Sequence, residues 1–178
     1  SIFIDSINTV DVACNSLAQG EIEIYVSGGD VGVYNYSIDG GNTVSNVSFF
    51  SGLNSGNYNI VVNDDFCQDS LSVIISEPLP LISDAFVLGG VNNIGISCAG
   101  DNTGALYVQV LGGTEPYTYN WLDDNMLSIG ALNEDTIYGV NEGTYNVQTI
   151  DANGCIILDD VTILANDPLI SSIITDST

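Results

Sequence analysis

One turn–strand–turn pattern occurs twice in this chain of 178 residues, and that duplication constrains the fold more than any single motif. Val140-Asn141-Glu142-Gly143-Thr144-Tyr145-Asn146-Val147-Gln148-Thr149-Ile150-Asp151-Ala152-Asn153-Gly154-Cys155 has a near copy in Leu53-Asn54-Ser55-Gly56-Asn57-Tyr58-Asn59-Ile60-Val61-Val62-Asn63-Asp64-Asp65-Phe66-Cys67. Both read as a Gly-x-Tyr turn, an alternating strand, an acidic turn and a cysteine. The correspondence extends upstream: Cys98 answers Cys14, Gly104 answers Gly20, and Ala105 to Gly113 answers Glu21 to Gly29. Two prolines in Glu77-Pro78-Leu79-Pro80 cannot continue a ladder and mark a stiff link. We therefore expect a first repeat over 1–78, a second over 79–168, and the start of a further repeat or a linker over 169–178.

Each copy is all-β by its periodicity. Glu21-Ile22-Glu23-Ile24-Tyr25-Val26-Ser27 alternates polar and apolar, as a half-buried strand does. Ile2 to Cys14 predicts a first strand with a kink. Val33 to Ile38, Val44 to Phe50, Tyr58 to Val62 and Leu71 to Ile75 predict further strands, about seven in all. Asp39-Gly40-Gly41-Asn42 is a hairpin turn of residues that tolerate positive φ. With roughly 85 residues per copy, the expected architecture is tandem immunoglobulin-like β-sandwich domains. Tyr58 and Tyr145 stand where a tyrosine corner would, Trp121 where a core aromatic would, and Ile38 fills that place in the first copy.

Charge narrows the partners. The chain has 23 Asp and Glu and no Lys, Arg or His, a formal net charge of −23. With 45 % hydrophobic residues it is too apolar for a disordered acidic tail. Salt bridges have no side-chain cation to form with, so carboxylates rely on backbone N–H groups, water or dissolved cations. Nucleic acid is excluded as a partner because there is no basic face. Membrane insertion is not expected, since no apolar run approaches ~18 residues. The absence of Lys and Arg also removes every trypsin-type cleavage site and any Lys–Asn isopeptide bond. Ser1 is not a start methionine, which reads as a mature or excised segment.

The four cysteines allow three pairings, and repeat symmetry selects Cys14–Cys67 and Cys98–Cys155, one bridge inside each domain. Such bridges would add roughly 4 kcal/mol to each domain in the chain-entropy model, and they imply an oxidising, extracellular setting. The alternatives are four free buried thiols or, less favoured without CxxC or His, zinc.

Asp151-Ala152-Asn153-Gly154-Cys155 after Gly143-Thr144-Tyr145, with Gly112-Gly113-Thr114-Glu115-Pro116-Tyr117-Thr118-Tyr119-Asn120-Trp121 before it, resembles an SprB-type repeat over nearly the whole second copy. The first copy departs, with Val31-Gly32-Val33 and Ile38 at the corresponding places. The resemblance implies a giant, surface-attached adhesin of Bacteroidetes, of the kind involved in gliding motility and exported by type IX secretion. It also implies O-glycosylation at Asp-Ser/Thr-apolar sites, which here means Ser6, Ser70 and Thr136.

Candidate sites are few. The acidic pairs suggest a hard cation such as calcium, the one cofactor this chemistry would take, at Asp64, Asp65, Asp151, Asp159 and Asp160. Turn capping and solvation are the competing reading. Tyr25, Tyr34, Tyr36, Tyr107, Tyr117 and Tyr119 could stack sugars, although cross-strand packing explains such pairs more often. Phe49-Phe50 should place one ring on each face of its strand. No catalytic residue is expected, because the chain lacks the His or Lys that usually activates a nucleophile. The reading is a non-catalytic spacer of a secreted, cell-surface repeat protein, an adhesin-like stalk or filament. Its partners would be neighbouring repeats, surface polysaccharide or other copies of itself. The alternative is a carbohydrate- or partner-binding module of an adhesin or secreted enzyme.

Overall fold

A computed structural model describes residues 1–29, 34–64, 66–90, 92–130 and 132–166. The chain divides into two compact units, Ser1–Pro80 and Leu81–Thr178. Asp65 and the segment 169–178 lie outside the described residues.

The first unit contains β1 (Ile2–Val10), β2 (Gly20–Gly28), β3 (Asn35–Ser37), β4 (Phe49–Leu53), β5 (Gly56–Asn63) and β6 (Gln68–Ile75). These form two three-stranded sheets, β1-β2-β4 and β3-β5-β6. Alternation decides which side chains face inward. On β2, Ile22 and Ile24 are buried while Glu23 and Tyr25 point outward; on β5, Ile60 and Val62 are buried. With Ile2, Val12 and Ile75 they make one core between the sheets. Each such side chain removed from water stabilises the fold by about 1.5–3 kcal/mol. The kink expected in the first strand is a bulge between Ile4 and Ser6.

The second unit repeats the plan with β7 (Ile82–Val87), β8 (Ile94–Ile96), β9 (Gly104–Leu111), β10 (Thr118–Leu122), β11 (Thr136–Val140), β12 (Gly143–Ile150) and β13 (Ile156–Ala165). Its sheets are β11-β9-β7 and β10-β12-β13-β8. Trp121 is fully buried in the core, its indole N–H donating to the Glu134 carbonyl at 3.1 Å. Ile38, half-buried, packs at the corresponding place in the first unit.

One strand expectation needs correction. Val44 to Phe50 is not a strand; β4 starts at Phe49 and runs to Leu53. Its partner decides this, since Glu23 faces Phe49 and Gly20 faces Leu53, leaving Val44 and Val47 outside the ladder and exposed. Phe49 is exposed and Phe50 packs on the core, as alternation requires.

Each unit has a leading pole, where its chain begins, and a trailing pole, where it leaves. In the first unit, Gly29 N–H donates to the Ser1 carbonyl at 2.8 Å and Ile4 N–H to Asp69 Oδ2 at 2.8 Å, so the start of β1 lies beside the start of β6. At the other pole, Val12 N–H donates to the Ser76 carbonyl at 2.9 Å and Asn15 Nδ2 to the Pro78 carbonyl at 3.1 Å. In the second unit, the side chain of Leu81 packs at Gly113 on the leading pole, while Asn166 N–H donates to the Ile96 carbonyl at 3.1 Å on the trailing one.

The cysteine pairing is overturned by this arrangement. Cys67 and Cys98 are free thiols, whereas Cys14 and Cys155 are disulfide-bonded, so neither Cys14–Cys67 nor Cys98–Cys155 is formed. The reason is distance. Cys67 precedes β6 at the leading pole, and Cys14 lies just past Val12, which bonds Ser76 beyond the far end of β6. A strand of that length separates its ends by roughly 25 Å, and a disulfide needs Cα atoms within about 7 Å. Cys155 and Cys98 are parted in the same way by β13, because Ile96 sits opposite Ala165 at the strand's end.

Candidate functional site

The most organised polar cluster is at the leading pole, built the same way in both units. Asp151 is only 5 % exposed and Asp64 only 8 %. Asp151 Oδ1 accepts from the N–H groups of Asn153 (2.9 Å) and Cys155 (2.8 Å), and Oδ2 accepts from Thr114 N–H at 2.9 Å. Asp64 Oδ1 accepts from Phe66 (2.8 Å) and Cys67 (2.6 Å). In each turn the aspartate N–H also donates to the cysteine carbonyl, Asp64 to Cys67 and Asp151 to Cys155, both at 3.0 Å.

Asp151 reaches back to Thr114 because glycine brings the two loops together. A Cβ on Gly113 would stand 2.9 Å from Asp151 Oδ2, and one on Gly29 would stand 2.5 Å from Asp64 Oδ2. Both glycines have φ near +60°, which only glycine adopts without strain. A tyrosine seals each glycine turn: Tyr117 donates to the Gly112 carbonyl at 2.6 Å, and Tyr34 donates to the Gly28 carbonyl. Burial first, then the nearby charges of Glu115 and Asp151, pushes the Tyr117 hydroxyl's pKa up. Each glycine pair stands where a strand ends, β2 at Gly28 and β9 at Leu111, and its carboxylate partner has no signal in the sequence, because loop-to-loop contacts have no period.

The remaining candidate acids are dispersed. Asp159 Oδ2 accepts from Ala85 N–H at 2.6 Å, capping a strand of the opposite sheet as Asp69 does for Ile4. Asp160 is exposed, and Asp65 lies outside the described residues. Among the described residues no group of three or more acidic or cysteine side chains is placed to hold a metal ion. Asp39, which no metal or catalytic argument picked out, is an exposed carboxylate held by several donors. Thr43 hydroxyl and N–H, with Ser37 hydroxyl, hold its pKa down to about 2.

The tyrosine corner is present twice: Tyr58 donates to the Asn54 carbonyl at 2.8 Å and Tyr145 to the Asn141 carbonyl at 3.1 Å. Of the six alternating tyrosines only Tyr25 is exposed, its hydroxyl donating to Glu23 Oε2 at 2.6 Å; the other five are half-buried. Tyr138, which alternation did not single out, is 73 % exposed. It borders a shallow depression of about 250 Å³ that also touches Asp123 and Tyr145. Ser6 and Ser70 are exposed in the first unit, while Thr136 is half-buried and donates to Asp135 Oδ1. No helix of the described residues is long and apolar enough to cross a membrane.

Comparison with known proteins agrees with this architecture. The structure is similar to a C-terminal 282-residue fragment of intimin, solved in complex with the intimin-binding domain of its translocated receptor Tir, at a TM-score of 0.51 and 14 % identity. The match covers 90 % of this chain and 64 % of that fragment, so the chain spans less than two thirds of it. Extracellular domains 3–5 of Drosophila OTK match at a TM-score of 0.45 and 17 % identity over 92 % of this chain and 63 % of that one. Domains IG1 and IG2 of DIP-gamma match at 0.46 and 9 % identity, over 94 % and 98 %. The two sheets of each unit, with the likeness to the intimin fragment, make the fold immunoglobulin-like. No curated protein matches the sequence. The SprB repeat model matches residues 6–43 and 96–126. The first copy is therefore matched despite its departures, and the second over less than its full length, without Gly143-Thr144-Tyr145 or Asp151 to Cys155. The resemblance stands on both segments: this chain is similar to SprB repeats over one stretch in each of its two units.

Proposed function

We propose that the chain is a non-catalytic spacer within a large secreted, cell-surface repeat protein, an adhesin-like stalk or filament. The observation that supports this most is the placement of the chain ends: each unit is entered at one pole and left at the other, with the same buried aspartate turn at the leading pole. A unit built that way adds its length to any array it joins. The acidic surface keeps such arrays from associating with one another non-specifically. Export by type IX secretion and a part in gliding motility belong to this proposal. So do sugars on Ser6, Ser70 and Thr136.

Surface polysaccharide is the competing partner, favoured only by exposed Tyr138 and Tyr25. Affinity electrophoresis of the chain in gels containing cell-surface polysaccharide distinguishes the two. The spacer migrates unretarded, whereas retardation lost on Tyr138→Ala would make this a binding module.

A further inference from the structure

We propose that Cys67 and Cys98 form disulfides with other repeats of this kind, a leading-pole cysteine bonding a trailing-pole cysteine, so that successive repeats are joined covalently at their ends. The two free thiols occupy opposite poles of their units: Cys67 at the leading pole of the first, Cys98 at the trailing pole of the second. Their repeat equivalents show what such positions do. Cys155 is the leading-pole counterpart of Cys67, since each donates its N–H to the buried aspartate of the same turn. Cys14 is the counterpart of Cys98, each accepting from the N–H three residues on, Leu17 and Asp101. Cys14 and Cys155 are disulfide-bonded. One leading-pole and one trailing-pole cysteine are thus already oxidised, and the reduced pair has the same composition.

The surroundings of Cys67 suit a docked partner. It lies in an open depression of about 370 Å³ with Asp64 and Phe66, and Phe66 is 85 % exposed, an apolar ring beside a reachable thiol. Cys98 is exposed. Two chains without basic side chains cannot be drawn together by ion pairs between them; apolar contact at Phe66 and a covalent bond can hold them. The bond needs an oxidant, here a low-molecular-weight disulfide such as oxidised glutathione. The Cys98 thiolate attacks one of its sulfurs, releasing one glutathione thiolate and leaving a mixed disulfide. The Cys67 thiolate of a second repeat then attacks the Cys98 sulfur and releases the other. Two protein thiols lose two protons and two electrons, and one oxidised glutathione becomes two reduced molecules.

This rests on the array reading, but its test is separate. Unlabelled Cys67→Ser and uniformly 15N-labelled Cys98→Ser variants of the 178-residue chain are mixed in equal amounts in a glutathione redox buffer, dimers are isolated by non-reducing electrophoresis, and intact mass separates the half-labelled mixed dimer from the two self-dimers. Each variant keeps one of the two thiols, so only the mixture can join Cys67 to Cys98. We expect the mixed dimer to exceed the two self-dimers together several-fold. A mixed dimer at or below half of all dimer, the proportion random collision gives, or no dimer at all, overturns the proposal. Either result leaves the spacer reading to its own polysaccharide experiment.

Discussion

At the scale of single residues, a carboxylate in this protein is stabilised by the N–H and O–H groups around it, because no cationic side chain exists. Asp151 shows this most fully, with three backbone donors and almost no exposure. Asp151→Ala leaves those donors buried without an acceptor, and hydrogen bonds to a charged group contribute about 1.5–3 kcal/mol each. We expect the second unit to lose upwards of about 3 kcal/mol, and Asp151→Asn, which keeps one oxygen, to lose less. Trp121, the only tryptophan, sits in that unit's core and reports its urea unfolding directly. Asp39 gives a pH prediction. Its folded pKa of about 2 lies below the ordinary 3.8, so the native turn favours the carboxylate. The contribution is complete above 3.8 and lost as pH falls through about 2. Carboxyl-carbon NMR should show Asp39 titrating near 2, and Thr43→Val should move it upward.

At the scale of strands and turns, much was readable in advance and the remainder failed for physical reasons. Alternation placed Ile22 and Ile24 inside and Glu23 outside, and the Gly-x-Tyr pattern located both tyrosine corners. Those signals are local: one strand period, or a bond spanning four residues. The register of β4 was not readable, because Val44 and Val47 are as apolar as strand residues and only pairing with β2 excludes them. The cysteines misled for a related reason. Repetition says that Cys14 matches Cys98 and Cys67 matches Cys155, but not which end of a sandwich each occupies. The aspartate turns were visible as acidic turns and as candidate cation ligands; that their oxygens face backbone donors follows from loop packing.

At the scale of the whole molecule, a net charge of −23 with no opposing side chain means that compaction works against self-repulsion. The tyrosines register that field: burial first, then Asp135 among neighbouring charges, pushes Tyr119 above its ordinary pKa. Added salt screens such repulsion beyond about 8 Å at physiological ionic strength. The melting temperature should therefore climb as sodium chloride is raised from a few millimolar, and climb further with calcium; a flat curve in differential scanning calorimetry would refute this. The direction of the strands bears on a different kind of load. Ile4 lies by Asp69 and Val12 by Ser76, so β1 and β6 run side by side in the same direction, as β8 and β13 do in the second unit. Tension applied at the two ends of the first unit pulls β1 backwards and β6 forwards. The bonds between them are then loaded in shear, all together, instead of unzipping one at a time.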